Sequence, residues 1–392
     1  MKAAIFLPNW LGDLVMATPV LRALRRKFGK DARLVGILRP YLAEVLSGTN
    51  WLDEQWLFNP SGNDRSHRAW AVTNRLRQER FDLAILLTNS FRTALMAWWA
   101  GARQRIGYAR NARGGLLTYR LHPHRANGRL VSEPIVDTYL AFADALGCGY
   151  ESARLELATT AREEESADAV WKRLGLRRDG RLILLNSGSA YGPARIWPAE
   201  NFGHLARHIV GQLDHDVLVM CGPKERSVAC DIVKLSASPR VFSMADQPLD
   251  FGTAKACIRR GRLMVSTDSG PRHMAAALGK PVITFYGPTP PLWSQNPTQQ
   301  AIDLWLDMDC IACRKRACPL GHHRCMRQLG VDLAFAAVEK MLESCAPMPK
   351  PRFAERPGDA TPRPTPAPPH FPIIADNLNI STNPGPATAA PA

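Results

Sequence analysis

Strand-like and helix-like stretches alternate along most of the chain, and that rhythm decides the fold class. In the first half, residues 3–7 form a short apolar run suited to a buried strand. Residues 14–28 follow with apolar side chains at helical spacing (Leu14, Ala17, Leu21, Leu24, Phe28) and stop at Gly29. Residues 33–38, 83–87 and 104–108 read as further strands, and 90–100 and 133–146 as helices ended by Gly101 and Gly147. The second half repeats the pattern. Strands are expected at 182–186, 217–221, 263–266 and 282–286, and helices near 199–212, 225–235, 248–259, 270–278 and 331–342. Strands alternating with helices of this length imply parallel sheets covered on both faces. The fold class is α/β, with two Rossmann-like domains.

A chain of 392 residues accommodates two such domains and an additional segment. The spacing divides it into 1–160, 161–346 and a tail, 347–392. Thirteen of those last 46 residues are proline, with Ala, Thr and Asn filling much of the rest, which predicts a disordered tail. Charge is uneven. Of the net +15, residues 1–150 hold +10, from 21 basic and 11 acidic side chains. A cationic first half suits an anionic partner: nucleic acid, a phosphorylated substrate or an anionic lipid surface. No stretch is a spanning segment: the uncharged run 281–302 contains four further prolines (Pro288, Pro290, Pro291 and Pro297). The apolar start is cut at Pro8-Asn9 and by Asp13, which argues against an export signal. Nine cysteines fit a reducing compartment.

Three strand-to-helix turns carry candidate chemistry. Pro8-Asn9-Trp10-Leu11-Gly12-Asp13-Leu14 joins the first strand to the first helix, at the strand end that lines a ligand crevice in such sheets. Asp13 is either a helix cap or a general base there. No G-x-G-x-x-G is present, which disfavours a dinucleotide dehydrogenase. The second turn runs from Asn186 to Pro198. Its small residues let backbone N–H groups approach an anion, Ser187 and Ser189 add hydroxyls, and Arg195 adds a fixed cation. Trp197 reads as a packing residue. In the third, Ser266-Thr267-Asp268-Ser269-Gly270-Pro271-Arg272-His273 opens a helix whose amides suit an anion. Asp268 either accepts sugar hydroxyls or caps the helix with Ser269. Tyr286-Gly287-Pro288-Thr289 borders the same crevice.

These segments resemble glycosyltransferase family 9, the ADP-heptose:lipopolysaccharide heptosyltransferases. The resemblance rests on PNWLGDLVMATPVLRALR, SGSAYGPARIWPAENF and STDSGPRHMAAALGKPVITFYGPTPP, and it spans roughly residues 1–345 in matching order. The second loop looks most like heptosyltransferase II, with heptosyltransferase I as the close competitor. The resemblance implies a GT-B fold, two domains facing across a cleft, and an inverting, metal-independent transfer that needs no cofactor. It implies an ADP-heptose donor, a lipid-anchored lipopolysaccharide core acceptor, and a cytoplasmic enzyme peripheral to the inner membrane face. Asp13 matches the family's catalytic aspartate. Ser187 and Ser189 fall in its diphosphate loop. Arg195 stands where a lysine is usual. Asp268, Ser269, Gly270 and His273 match the donor motif, within which Pro271-Arg272 is a departure. Glu225 and Met244 match residues near the adenosine.

Cys310, Cys313, Cys318 and Cys325 are spaced C-x2-C-x4-C-x6-C with His322 and His323 between them. They form either a structural zinc site or a set of reduced, packed thiols. Attachment to an anionic membrane is expected from two cation clusters, Arg22, Arg25, Arg26 and Lys27, and Arg103, Arg105, Arg110 and Arg113. The apolar stretch 94–99 reads as a buried core helix, with membrane insertion as the alternative. Two rivals share the scaffold or the charge. A nucleotide-sugar epimerase has no use for the basic half, and a nucleic-acid binder is disfavoured because no recognised nucleic-acid motif is present.

Overall fold

The structure is a computed structural model that describes residues 1–127, 129–345 and 379–381. The first lobe is a six-stranded sheet of β1 (Lys2–Phe6), β2 (Arg33–Leu38), β3 (Glu54–Leu57), β4 (Leu83–Leu86), β5 (Gln104–Tyr108) and β6 (Tyr119–Leu121). All pairings are parallel, in the order β3-β2-β1-β4-β5-β6. A small antiparallel hairpin, β7 (Arg125–Ala126) and β8 (Arg129–Leu130), follows it.

The second lobe repeats this order with β9 (Leu182–Asn186), β10 (Asp216–Met220), β11 (Val241–Ser243), β12 (Leu263–Thr267), β13 (Val282–Phe285) and β14 (Ala301–Trp305), arranged β11-β10-β9-β12-β13-β14. In both sheets the strand order reverses beside the first strand. Ligands of open α/β sheets bind at that switch point, outside the carboxyl ends of the strands. A last strand, β15 (Asn379–Ser381), pairs antiparallel with β14. The rest of the expected disordered tail lies outside the described residues.

Helices α1 (Leu11–Met16), α2 (Thr18–Phe28), α3 (Ala69–Glu79), α4 (Phe91–Trp99) and α5 (Ile135–Ala145) belong to the first half. The second half has α6 (Ala161–Leu174), α7 (Ala199–Leu213), α8 (Arg226–Ser236), α9 (Phe251–Arg260), α10 (Gly270–Ala277), α11 (Arg324–Arg327) and α12 (Val331–Ser344). The central strands are buried along their whole length, as in Leu182–Asn186, because helices cover both faces. At the start of α6, Thr160 and Glu163 form a reciprocal capping box. Trp197 is fully buried, stacks edge-on to Phe202 at 4.7 Å and donates its indole N–H to Leu329 O at 2.9 Å, as a packing residue should.

Two expectations are corrected. The single helix over 14–28 is two helices that break at Ala17: Pro19 lies in the first turn of α2, where its missing N–H costs nothing, but it could not have continued α1. Strands β3, β6, β11 and β14, and helix α3, had no expectation. Residues 94–99 are not simply a core helix. Ala94, Met96 and Ala97 are buried, but Trp98 and Trp99 are exposed.

The lobes meet at close quarters. A β-carbon on Gly12 would lie 3.0 Å from the His273 ring, and one on Gly270 would lie 2.6 Å from Leu11. Absent side chains at both positions therefore let α1 and α10 touch. Behind them, the buried Lys255 Nζ spans the lobes, donating to Ser47 O at 2.8 Å and Ala158 O at 2.9 Å beside Glu163 at 3.1 Å.

Candidate active site at the meeting of two helix starts

Asp13 lies in the first turn of α1, yet it is not the cap. Trp10 holds that position and offers no side-chain cap bond. The carboxylate instead accepts a hydrogen bond from Tyr139 Oη at 3.2 Å, contributed by α5. Burial raises the Asp13 pKa above the ordinary aspartate value. The Tyr139 bond and the Arg195 cation oppose this, and the Asp268 carboxylate adds to it. A carboxyl poised in this way is a better proton acceptor than a solvated one. Tyr139 is itself fully desolvated and faces Asp13, which holds its phenol well above its usual pKa and keeps it a donor.

Across the lobe contact, Asp268 follows β12 and is buried. Thr289 Oγ1 donates to its Oδ2 at 2.7 Å, Ser294 Oγ donates to its Oδ1 at 3.0 Å, and Arg195 Nη2 lies 3.1 Å from Oδ2. Arg195 also donates to the Asp268 carbonyl, and its guanidinium lies over the Tyr191 ring at 4.1 Å. These contacts hold the Asp268 carboxyl below its usual pKa despite burial, with the Arg195 cation the largest opposing influence and Arg272 next. The carboxylate is already engaged on both oxygens. In this geometry it positions Arg195.

Ser269 is the backbone cap of α10 without a side-chain cap bond. Its hydroxyl instead accepts from Asn186 Nδ2 at 2.9 Å, and Ser266 Oγ accepts from the same nitrogen at 3.0 Å. Asn186 thereby ties the end of β9 to the end of β12. The Ser187 and Ser189 hydroxyls, Arg195 Nε and His273 Nδ1 are buried with no hydrogen-bond partner among the described residues. Groups of this kind normally find partners, and their convergence on one crevice marks it as a place for an oxygen-rich ligand. His273 is buried, and desolvation with Arg272 alongside pushes its pKa down to about 3 against the pull of Asp268, so the ring is neutral near pH 7.

Glu225 sits at the next strand end. Its Oε2 accepts the Gly222 N–H at 2.8 Å, and a β-carbon on Gly188 would fall 2.1 Å from that same oxygen. The loop 187–189 and Glu225 are therefore in tight juxtaposition. Met244 directly follows β11. It is 1% exposed and belongs to the same buried cluster as Leu218 and Met220.

The cysteine segment braces the second turn from outside. Ala194 N donates to Arg316 O at 3.0 Å, Tyr191 Oη to Arg314 O at 2.7 Å, and Ala312 N to Gly287 O at 2.9 Å. Cys310, Cys313, Cys318 and Cys325 are free thiols, and among the described residues no three His, Cys, Asp or Glu side chains are placed to hold a metal ion. As placed, these side chains do not fit the zinc alternative, and no step is derived through one.

Six of the eight cations in the two clusters are engaged within the lobe. Arg22 pairs with Glu151 and Glu156, Arg25 with Asp53, and Arg26 with Glu151, while Lys27 donates to Gly147 O. Arg113 is fully buried and donates to the carbonyls of Tyr108 and Thr88, and Arg105 is spent on Leu116 O and Ala102 O. Most of that charge holds the lobe together. Among the described residues, no helix is long and apolar enough to cross a membrane.

Reasoning from sequence missed Tyr139 and Ser294. Tyr139 is 126 residues from Asp13, on a helix with ordinary apolar spacing, so no local signal marks it. Ser294 follows a run of prolines that reads only as a loop.

The chain is similar to known proteins over most of its length. Lipooligosaccharide heptosyltransferase 2 of Haemophilus ducreyi is 26% identical over 87% of this chain and 99% of its own. Two solved structures share the fold: a family 9 glycosyltransferase from Veillonella parvula (23% identity, TM-score 0.72, 88% of this chain and 97% of that one) and Escherichia coli ADP-heptose lipopolysaccharide heptosyltransferase II (21%, 0.70, 88% and 99%). The two-lobed α/β architecture is thus of the GT-B type. The profile of glycosyltransferase family 9 (heptosyltransferase) matches residues 69–324, and the chain belongs to that family.

Proposed function

We propose that the chain transfers heptose from ADP-heptose to the inner core of a lipopolysaccharide, as a heptosyltransferase II, with inversion at the anomeric carbon. The donor and acceptor classes follow from the family, and the II assignment is supported by the near full-length relative of that name. The first lobe, 1–160, presents the acceptor and the base. The second, 161–346, holds the nucleotide sugar.

The observation that carries this reading is the contact of α1 and α10. It sets a raised carboxyl from one lobe against a fixed cation from the other. Asp13 takes the proton from an acceptor hydroxyl as its oxygen bonds to the anomeric carbon. The bond from that carbon to the diphosphate oxygen breaks, and ADP leaves with the electron pair. Arg195 Nε, the Ser187 and Ser189 hydroxyls and the first amides of α10 face the charge that develops on the departing oxygens. Donors fixed before the reaction stabilise such charge without reorganising. Asp268 keeps Arg195 in place, and Glu225 beside Gly188 is placed for the adenosine end. His273, neutral, contributes a hydrogen bond rather than a charge.

Incubation with ADP-heptose and a heptose-terminated core acceptor, with ADP release and product anomer as readouts, tests the proposal. Transfer with inversion that persists in EDTA is expected. ADP release without glycan extension, or retained configuration, overturns it.

A further inference from the structure

Helix α4 is built inside out. Its small residues Ala94 and Ala97 face the core beside Met96, and its largest point the other way: Phe91, Trp98 and Trp99 are 47%, 51% and 53% exposed. Phe91, Leu95, Trp98 and Trp99 lie one after another at i, i+4, i+7 and i+8, which is an apolar stripe on one side of the helix. Helix α3 packs alongside and adds Trp70, 72% exposed, edge-on to Trp99 at 6.4 Å. Soluble proteins scatter single apolar residues over their surface, whereas contiguous exposed aromatic patches mark interaction sites.

The rim of this patch is cationic. Arg77 lies seven residues after Trp70, on the same face of α3. Arg92 lies in the first turn of α4 and Arg103 just past its end. Arg77 and Arg92 form no ion pair among the described residues, and Arg103 reaches Asp82 only at 4.0 Å. Of the neighbouring acids, Glu79 is paired with Lys2 and Arg33, and one Asp82 oxygen accepts the Lys2 backbone N–H while the other faces Arg103. An aromatic stripe edged by arginines, Arg77 and Arg92 among them without an ion pair, is complementary to the headgroup layer of an anionic bilayer, where tryptophan rings settle and cations find phosphates. The stripe starts at Phe91, just beyond the carboxyl end of β4, the end of the sheet that opens on the crevice.

We propose that the α3–α4 face, led by Trp70, Trp98 and Trp99 with Arg77 and Arg92, is a docking surface for an anionic phospholipid membrane. The choice of a bilayer as occupant rests on the reading that the acceptor is a lipid-linked glycan. Docking there replaces the attachment expected from Arg22, Arg25, Arg26 and Lys27, which are spent within the protein.

The test is sedimentation of the full chain with phosphatidylethanolamine–phosphatidylglycerol vesicles. The wild type should co-sediment, and raised salt should weaken the binding without abolishing it, since aromatic insertion is insensitive to screening. The double variant Trp98→Ser/Trp99→Ser should lose roughly tenfold or more in partitioning. Arg77→Glu/Arg92→Glu should lose less, and that loss should shrink as salt rises. Melting temperature and transfer to a soluble, delipidated acceptor should be unchanged in both, because none of these side chains is in the site. Wild-type protein that ignores the vesicles, or tryptophan variants that bind as well as it does, would overturn the proposal. So would a dimer dissolved by Trp98→Ser/Trp99→Ser, which would assign the face to a second copy. Loss of transfer to the soluble acceptor in the wild type would instead count against the enzymatic reading and leave the vesicle result standing.

Discussion

In the second lobe, Asp268 in the turn after β12 receives two hydroxyl donors from beyond β13 and a guanidinium from beyond β9, and Arg195 is further pinned by a carbonyl and by the Tyr191 ring. In the first lobe, the turn after β1 gives Asp13 one side-chain hydrogen bond, from Tyr139. The sheets share a strand order, so topology does not cause the difference. On the proposed reading, the two lobes do different work. A diphosphate leaving group needs donors already aimed at it, so its side is over-determined. A base that must take a proton from an incoming hydroxyl needs a free oxygen and a raised pKa, so its side is sparse.

Asp13→Asn breaks the comparison on its sparse side and should have the largest effect. The amide keeps the shape of the carboxylate but cannot accept the proton. Turnover should fall by at least about 10²-fold, with little change in ADP-heptose binding by calorimetry and little change in melting temperature. Near-normal turnover would leave Asp13 without a catalytic role.

The over-determined side should fail differently. Arg195→Ala should lower kcat/KM by roughly ten- to a hundredfold, and Arg195→Lys should recover part of that because the charge remains while the fork does not. Asp268→Ala should reach a similar loss by a second route, since it releases Arg195 and leaves that partly buried guanidinium without its ion-pair partner. It should therefore also lower the melting temperature, on the order of 3–5 kcal/mol of stability, where Asp13→Asn does not. Equal and complete loss in Arg195→Lys and Arg195→Ala would show that geometry, and not charge, decides.

Gly188→Ala is a subtler intrusion. Its β-carbon would fall 2.1 Å from Glu225 Oε2, so the carboxylate must swing away from the Gly222 N–H. Donor KM should rise roughly tenfold, with acceptor KM unmoved. Kinetics with each substrate varied in turn would show it, and an equal rise in both would remove Glu225 from the donor side.

What was legible in the sequence follows the range of the interactions concerned. The buried central strands and the helices after them are marked by local runs and stops, so residues 33–38, 104–108 and 182–186 coincide with β2, β5 and β9. Asp13, Arg195 and Asp268 stand out as candidates because each sits in a turn with its own composition. Edge strands such as β11 (Val241–Ser243) are too short to leave a periodic signal. Pairing across the fold leaves none at all. Arg22 reads as a free cation until Glu151, 129 residues later, is seen against it. Trp98 and Trp99 read as core because apolar composition does not say which side of a helix faces in. Tyr139 was missed for the same reason as the Arg22 pair.

That residue offers the finest test of the sparse side. Tyr139→Phe removes only the hydroxyl that donates to Asp13. The site stays packed, so turnover at high pH should fall only a few-fold. The informative change is in the pH profile. The Tyr139 bond stabilises the ionised carboxylate and so lowers a pKa that burial has raised. Without it, the Asp13 pKa must move further up. The base works only when ionised, so activity is lost as pH falls through that pKa, and in the variant the loss must begin at a higher pH. The acid limb of kcat/KM reports the free enzyme and should shift to higher pH, while the alkaline limb stays in place. A shift to lower pH would mean that the tyrosine does not hold the carboxylate in its charged form. An unmoved acid limb would mean that Asp13 is not the group titrating there, and the contrast between one lightly held carboxylate and one heavily held one would lose its functional meaning.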